Sequence, residues 1–381
     1  MTRKKEPTMP IVNLLIKPAS GACNMRCQYC FYADEMAHRT KSPLSVMDQA
    51  TMHLLIDRVA DFAEGSCTFA FQGGEPTLAG LSYFQEFVRY AAEKPELQKL
   101  DVHYALQTNG YLLDKEWAEF FHQNHFLIGV SLDGPKDIHD RYRKDSKGDG
   151  TYDRILSSIE LLKQYEVDFN ILTVVTKDSA RKAKRLYEFY KQNQLSYQQY
   201  IECLNPIGDT ALHDYTLTPD RYERFLKDMF DCWYQDLEQG TYVYNRYFEN
   251  LLRMLDRQQP ESCNMYGICS RQWVIEADGS VYPCDFYCLD EWKMGTVQEH
   301  TFPELEQRRE TLGFVEASKP VPERCRTCRW YPLCRNGCRR HREAQEESRL
   351  NYFCSAYQGF FAYAYPKLVK AYQIVTSRNH P

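Results

Sequence analysis

Six short apolar runs, spread over the first 200 residues, limit what this chain can fold into more than any other feature. They are IVNLLIK (11–17), CTFAFQ (67–72), VHYALQ (102–107), FLIGVSL (126–132), DFNILTVVT (168–176) and SYQQYIECL (196–204). Between most of them lie segments with helical periodicity, at 47–63, 80–93, 114–123, 152–165 and 178–192. Strand–helix alternation predicts parallel βαβ units. Six such units fit an incomplete (β/α) barrel over residues 10–240, with a doubly wound sheet as the alternative. Both architectures place functional side chains at the C-terminal ends of strands.

Three motifs fall at those ends. GACNMRCQYCFY follows the first strand, FQGGEPTLAG the second and LQTNG the third. The first carries Cys23, Cys27 and Cys30 in C-x3-C-x2-C spacing. Three thiolates are one short of a structural zinc site. They suffice to hold three irons of a [4Fe–4S] cluster and leave the fourth open to a chelating small molecule. A zinc site with a distant fourth ligand and three unrelated thiols are the alternatives. In the second motif, glycines allow close backbone approach and the carboxylate can take an ammonium group.

From residue 263 the texture changes. Turns become frequent, RQWVIEADGSVYPCDFY reads as a hairpin around Asp278-Gly279, and eight cysteines follow in a pattern. They are Cys263, Cys269, Cys284, Cys325, Cys328, Cys334, Cys338 and Cys354. Eight thiolates make two sets of four, and spacing alone leaves zinc and fully ligated iron–sulfur clusters both open. Residues 219–257 read as helical, a boundary is placed near 240–260, and a closing helix is expected over 358–381, with Pro366 kinking or restarting it.

Fifteen cysteines in a chain with no apolar signal core after MTRKKEPTMP point to metal rather than disulfides, and to the cytoplasm. No run is long enough to span a membrane. The net charge of −5 offers no basic excess for nucleic acid. Four cysteines stay outside both patterns. Cys67 and Cys203 lie in expected strands; Cys232 and Cys288 have no assignment, and all four read as buried or free thiols.

C-x3-C-x-aromatic-C, with Tyr29 before Cys30, resembles the signature of the radical S-adenosylmethionine superfamily, whose fold is a partial (β/α)6 barrel. The later cysteines resemble a SPASM domain, here 241–357, which carries two auxiliary [4Fe–4S] clusters. Together IKPASGACNMRCQYCFY, FAFQGGEPTLAG, LQTNG, SLDGPKDIH, DGSVYPCDFY and NYFC resemble the anaerobic sulfatase-maturating enzymes. The resemblance implies S-adenosylmethionine and three [4Fe–4S] clusters as cofactors. It implies Cys263, Cys269, Cys284 and Cys338 as ligands of the first auxiliary cluster, and Cys325, Cys328, Cys334 and Cys354 as ligands of the second. Tyr29, Gly74 and Glu75 would contact the cofactor, Ser131 and Arg143 would hold its ribose and carboxylate, and Leu204 would pack on its adenine.

The implied reaction converts a cysteine or serine of an unfolded or nascent sulfatase into Cα-formylglycine through a 5′-deoxyadenosyl radical. A flavodoxin or ferredoxin would supply electrons. Asp285, adjacent to Cys284, is the candidate base, and Tyr32 and Gln72 border the cofactor motifs as substrate contacts. Taken on its residues alone, Arg143 equally suits an ion pair with Asp140 or Asp145, Ser131 a strand-end cap, and Asp285 a solvent-exposed loop position. A radical maturase of another ribosomal peptide is the competing reading. Such proteins often carry a peptide-binding domain before the barrel, and only ten residues precede the first strand here. An electron carrier or zinc scaffold is a third.

Overall fold

The computed structural model describes residues 12–40, 45–343 and 349–378. Ile11 of the first expected strand, and the outermost residues of the 10–240 and 358–381 spans, lie outside the described residues. The expected strands form as β1 (Val12–Lys17), β2 (Ser66–Phe71), β3 (Asp101–Thr108), β4 (Phe126–Ser131), β5 (Phe169–Val175) and β6 (Tyr197–Glu202). Each pairs in parallel with the next, in chain order. The intervening helices bury their apolar stripes on the sheet. The helix Leu81–Ala92 buries Tyr83, Phe84 and Phe87, and the Phe84 and Phe87 rings meet Phe71 of β2 edge-on at 5.0 Å. Asp48 and Asp114 start their helices by accepting the Thr51 and Trp117 backbone N–H groups.

The sheet continues past β1. The strand β8 (Trp273–Glu276) pairs with it in parallel, and β9 (Ser280–Tyr282) and β10 (Gly295–Thr296) follow antiparallel. At the other edge a short β7 (Tyr244–Asn245) extends β6. The described strands thus form one sheet in the order β10-β9-β8-β1-β2-β3-β4-β5-β6-β7. The hairpin turn sits at Asp278-Gly279 as the sequence indicates, with Gly279 at φ +79°. Its attachment to the barrel edge is new. The register sets Lys17 opposite Glu276, which brings a residue of the C-terminal third against the end of the first strand.

Three elements depart from expectation. The span 178–192 is two helices, Lys177–Arg181 and Ala183–Gln192, because Lys182 leaves helical geometry after a short turn capped reciprocally by Thr176 and Ser179. The span 219–257 is also two, Pro219–Glu238 and Arg246–Leu255, separated by β7. The last helix runs from Cys354 to Arg378 with Pro366 inside it and no restart. Proline removes one backbone bond, and tertiary packing holds the helix across it. Before it, Phe360 meets Phe230 at 5.8 Å and Tyr357 donates to Glu202 Oε1 at 2.8 Å; after it, Lys367 pairs with Asp231 at 2.9 Å and Tyr372 donates to Asp256 Oδ1 at 2.6 Å. No helix among the described residues is long and apolar enough to cross a membrane.

Candidate active site

The loop that carries Cys23, Cys27 and Cys30 leaves the end of β1 and runs into the helix Phe31–Ala37. Two neighbouring strand-end loops clamp it. Gly74 adopts φ +48°, and a Cβ there would stand 2.2 Å from the Ala22 carbonyl oxygen and 2.5 Å from that of Ser20. Only glycine fits so close a backbone approach. The next residue, Glu75, donates its N–H to the Ala22 carbonyl at 2.8 Å. From the third strand, Asn109 Nδ2 donates to Asn24 Oδ1 at 2.8 Å and lies 3.8 Å from Cys23 Sγ. Burial pushes the Cys23 thiol up to about 11 and that of Cys27 up to about 12, and the neighbouring Cys30 thiol adds to both.

Around this loop the structure places the other expected residues. Glu75 is fully buried, and its carboxylate accepts from Thr77 and Thr108 on Oε1 and from the Asn109 N–H on Oε2. Burial raises its pKa, and those donors only partly offset this. With one bond on Oε2, it keeps acceptor capacity for an ammonium group. Tyr29 donates its hydroxyl to Asp133. Arg143 binds the same carboxylate through Nε and Nη2, at 2.9 and 3.2 Å. This corrects the reading of Arg143 as a surface pair with Asp140 or Asp145: the guanidinium is buried, its partner is Asp133 of SLDGPKDIH, and it lies 5.5 Å from the Tyr29 ring. Ser131 is buried at the end of β4, and Leu204 follows β6 half-buried.

Asp285 is also buried rather than a solvent-exposed loop residue. It sits where the hairpin region meets the ends of β1 and β2. Its Oδ1 takes Lys17 Nζ at 2.5 Å and its Oδ2 takes Gln72 Nε2 at 2.7 Å. Lys17 is fully buried, with Nζ 3.7 Å from the Tyr32 ring centroid. Burial alone lowers its pKa, but Asp285, Cys288 and Glu276 more than reverse this and the pKa is raised. The Tyr32 hydroxyl donates to Glu276, which also accepts from Arg39 Nη1 at 3.0 Å and Ser20 Oγ at 2.5 Å. Lys17, Glu276, Arg39 and Asp133 were missed as site residues. A lysine closing an otherwise apolar strand was the one available signal.

The eight later thiols fall into two neighbourhoods. Burial pushes Cys338 up to about 12, with Cys263 and Cys269 as neighbouring thiols, and Cys284 is raised by burial beside Cys338 and Cys263. Burial likewise pushes Cys334 up to about 12, beside Cys354, Cys325 and Cys328. These last four line one pocket together with Arg324, Trp330 and Tyr357. Among the described residues no three His, Cys, Asp or Glu side chains close on the distance of a single ion. A multi-iron cluster binds its cysteines at separate corners, which suits thiols spread around a shared pocket. The soft, all-thiol donor sets and the buried, unpartnered Asn24 Nδ2 beside the first loop fit iron–sulfur groups with a further polar ligand there. Cys288 belongs to neither set. It is fully buried in a small cluster with Tyr32, Met36, Val274 and Tyr282.

Known proteins resemble this chain over most of its length. Residues 18–190 match the model of the radical SAM superfamily, and 258–329 that of an iron–sulfur cluster-binding domain. The chain is 43% identical over 98% of its length, and all of the relative's, to a cysteine-type anaerobic sulfatase-maturating enzyme of Clostridium novyi. It is 31% identical, over 94% of this chain and 86% of the relative, to a serine-type enzyme of Klebsiella aerogenes. The solved structure of native anSMEcpe with bound AdoMet and Kp18Cys peptide superposes with a TM-score of 0.90 at 43% identity, covering 96% of this chain and 99% of that one. Streptococcus suis SuiB bound to S-adenosylmethionine, at a TM-score of 0.62 and 16% identity over 89% of this chain and 76% of that one, shares the fold alone. The chain belongs to the anaerobic sulfatase-maturating enzymes of the radical S-adenosylmethionine superfamily.

Proposed function

We propose that this chain oxidises, without oxygen, a cysteine side chain of a sulfatase polypeptide to Cα-formylglycine. The observation that carries the reading is the buried Asp285 carboxylate, held by Lys17 and Gln72 in the residue next to a cluster-ligand candidate, Cys284. Cysteine rather than serine is the substrate side chain, because the cysteine-type relative is 43% identical and the serine-type one 31%.

Cys23, Cys27 and Cys30 would hold the first cluster, and Tyr29, Gly74, Glu75, Ser131, Arg143 and Leu204 the S-adenosylmethionine. Cys263, Cys269, Cys284 and Cys338 would hold one auxiliary cluster, and Cys325, Cys328, Cys334 and Cys354 the other. When bound, these groups supply a radical that takes one hydrogen atom from the substrate Cβ and a sink for the electron that remains. Asp285 takes the thiol proton. Lys17, 2.5 Å away, holds Oδ1 in place through a buried ion pair. Gln72 fixes the direction of Oδ2. Tyr32, held by Glu276 and covered by Lys17, presents a rigid ring beside the reacting side chain. Removing a hydrogen atom, a proton and an electron from the HS–CH2 unit leaves a thioaldehyde, which water converts to the aldehyde with release of hydrogen sulfide.

Anaerobic incubation of the reconstituted protein with reductant, S-adenosylmethionine and a C-x-P-x-R peptide tests the proposal, with the aldehyde trapped and read by mass spectrometry. Aldehyde formation on the cysteine peptide, exceeding that on an S-x-P-x-R peptide, is expected. Cofactor cleavage without any aldehyde would contradict it.

A further inference from the structure

We infer that His139 is a positioning residue of the cofactor site: its uncharged ring ties the backbone of Asp133 to that of Arg143 and so sets where the Arg143 guanidinium stands. The inference rests on the reading of Arg143 as a contact of S-adenosylmethionine. His139 lies on the helix Lys136–Tyr142, and both it and Thr151 are buried. The roles of its two ring nitrogens follow from their partners. The Asp133 backbone N–H donates to Nδ1 at 3.2 Å, so Nδ1 carries no proton. Nε2 then carries the ring proton and donates it to Thr151 Oγ1, at 3.0 Å. The Thr151 hydroxyl donates in turn to the Arg143 carbonyl, at 3.1 Å. A chain of three hydrogen bonds therefore runs from Asp133 through His139 and Thr151 to Arg143.

Both ends of that chain belong to one buried ion pair. The Asp133 carboxylate takes Arg143 Nε and Nη2 and the Tyr29 hydroxyl, and the Val174 backbone N–H fixes its Oδ1 at 2.9 Å. Arg143 Nη1 has no hydrogen-bond partner among the described residues and is left for a carboxylate from outside the chain. The backbone on either side of Arg143 reaches the cysteine loop. The Gln28 N–H donates to the Tyr142 carbonyl at 3.2 Å, and the Arg26 N–H to the Lys144 carbonyl at 2.7 Å. One ring thus keeps three pieces in register: the end of β4, the Arg143 segment and the loop of Cys23, Cys27 and Cys30.

An imidazolium could not do this, because a protonated Nδ1 would face the Asp133 N–H as a second donor. The surroundings keep the ring neutral. Burial lowers its pKa most, the Asp133 carboxylate opposes this and the Arg143 guanidinium adds to it, which brings the imidazole down to about 3. The remaining titratable neighbour, Tyr152, faces the ring edge-on at 6.1 Å.

The test measures S-adenosylmethionine binding to the reconstituted, unreduced holoprotein by equilibrium dialysis. Thr151→Val keeps the shape of Thr151 and removes its hydroxyl; His139→Phe removes both ring nitrogens. Each should raise the dissociation constant about tenfold, and Thr151→Ser, which restores the hydroxyl, should bind as the wild type does. Because both substitutions break one chain, the double variant should lose no more than about threefold beyond the weaker-binding single variant. In turnover, the KM for S-adenosylmethionine should rise with the dissociation constant while kcat stays within about twofold. Should Thr151→Val load iron poorly, Thr151→Ala is judged by the same criteria. Wild-type binding by an iron-replete Thr151→Val, or losses that multiply to about a hundredfold in the double variant, overturns the inference. So does a titration of wild-type binding near pH 6–7 that His139→Phe abolishes, since it would show a ring that charges at its ordinary pKa of about 6.5. Arg143→Lys separates the two possible failures. Normal binding there would sink the reading of Arg143, whereas weak binding there beside normal binding in Thr151→Val and His139→Phe would sink only the part given to His139.

Discussion

Replacing Lys17 with methionine removes the cation on which the buried site depends. Nζ stands 2.5 Å from Asp285 Oδ1 with the side chain fully buried. At an effective dielectric of about 20 that contact has a gross attraction of about 7 kcal/mol, and the position over Tyr32 adds about 1–2 kcal/mol. Desolvation offsets most of this, but deleting one partner strands the other, at a cost of about 3–5 kcal/mol. The expected fall in apparent melting temperature of the Lys17→Met holoprotein is about 5–10 °C. The pH sign follows from the raised lysine pKa. A raised pKa gives stability that is complete below the unfolded value of about 10.4 and is lost only as pH climbs through the folded one. The difference from wild type should therefore stay flat between about pH 6 and 9. The decisive assay is a double-mutant cycle with Asp285→Asn. Each single variant leaves an uncompensated buried group, so Lys17→Met/Asp285→Asn should cost at least about 2 kcal/mol less than the sum of the two. Additivity within about 0.5 kcal/mol would show that the pair is not coupled and would refute the role given to Lys17.

Other outcomes follow from the same geometry. Asp285→Asn should lower formylglycine formation by about 10²–10⁴-fold while 5′-deoxyadenosine is still produced, measured together by liquid chromatography and mass spectrometry. Gly74→Ala places a methyl group 2.2 Å from a backbone oxygen. It should displace the first cysteine loop and cost about four of the roughly twelve irons expected per chain on iron analysis. Cys338→Ala should bring the count to about eight irons or fewer and slow aldehyde formation, with cofactor cleavage kept.

The barrel strands were legible from short apolar runs set between helical segments, most plainly FLIGVSL, whose strand is buried at all but one position. The cysteine loop, GGEP and TNG were legible for the same reason, since strand ends mark where function collects in parallel sheets. Tyr29, Gly74, Glu75 and Arg143 do gather around that loop. What escaped were pairings across the chain. Lys17 and Asp285 are 268 residues apart, and Tyr32 and Glu276 are 244 apart. Both contacts are set by the hairpin strand adding to the free edge of β1, and no local periodicity reports which edge a hairpin chooses. Asp133 escaped differently. Its carboxylate is defined by three partners far apart along the chain, Tyr29, Arg143 and the Val174 backbone N–H. The break at Lys182 was hidden because one helical face continues across it.

The most direct test of hydrogen-atom removal from the substrate Cβ follows the atom itself. The holoprotein is given a substrate peptide whose reacting cysteine carries two deuterons on Cβ, and both products are weighed. The expected products are 5′-deoxyadenosine that has gained one deuterium and a peptide aldehyde that retains one. Unlabelled 5′-deoxyadenosine alongside full aldehyde formation would contradict that removal.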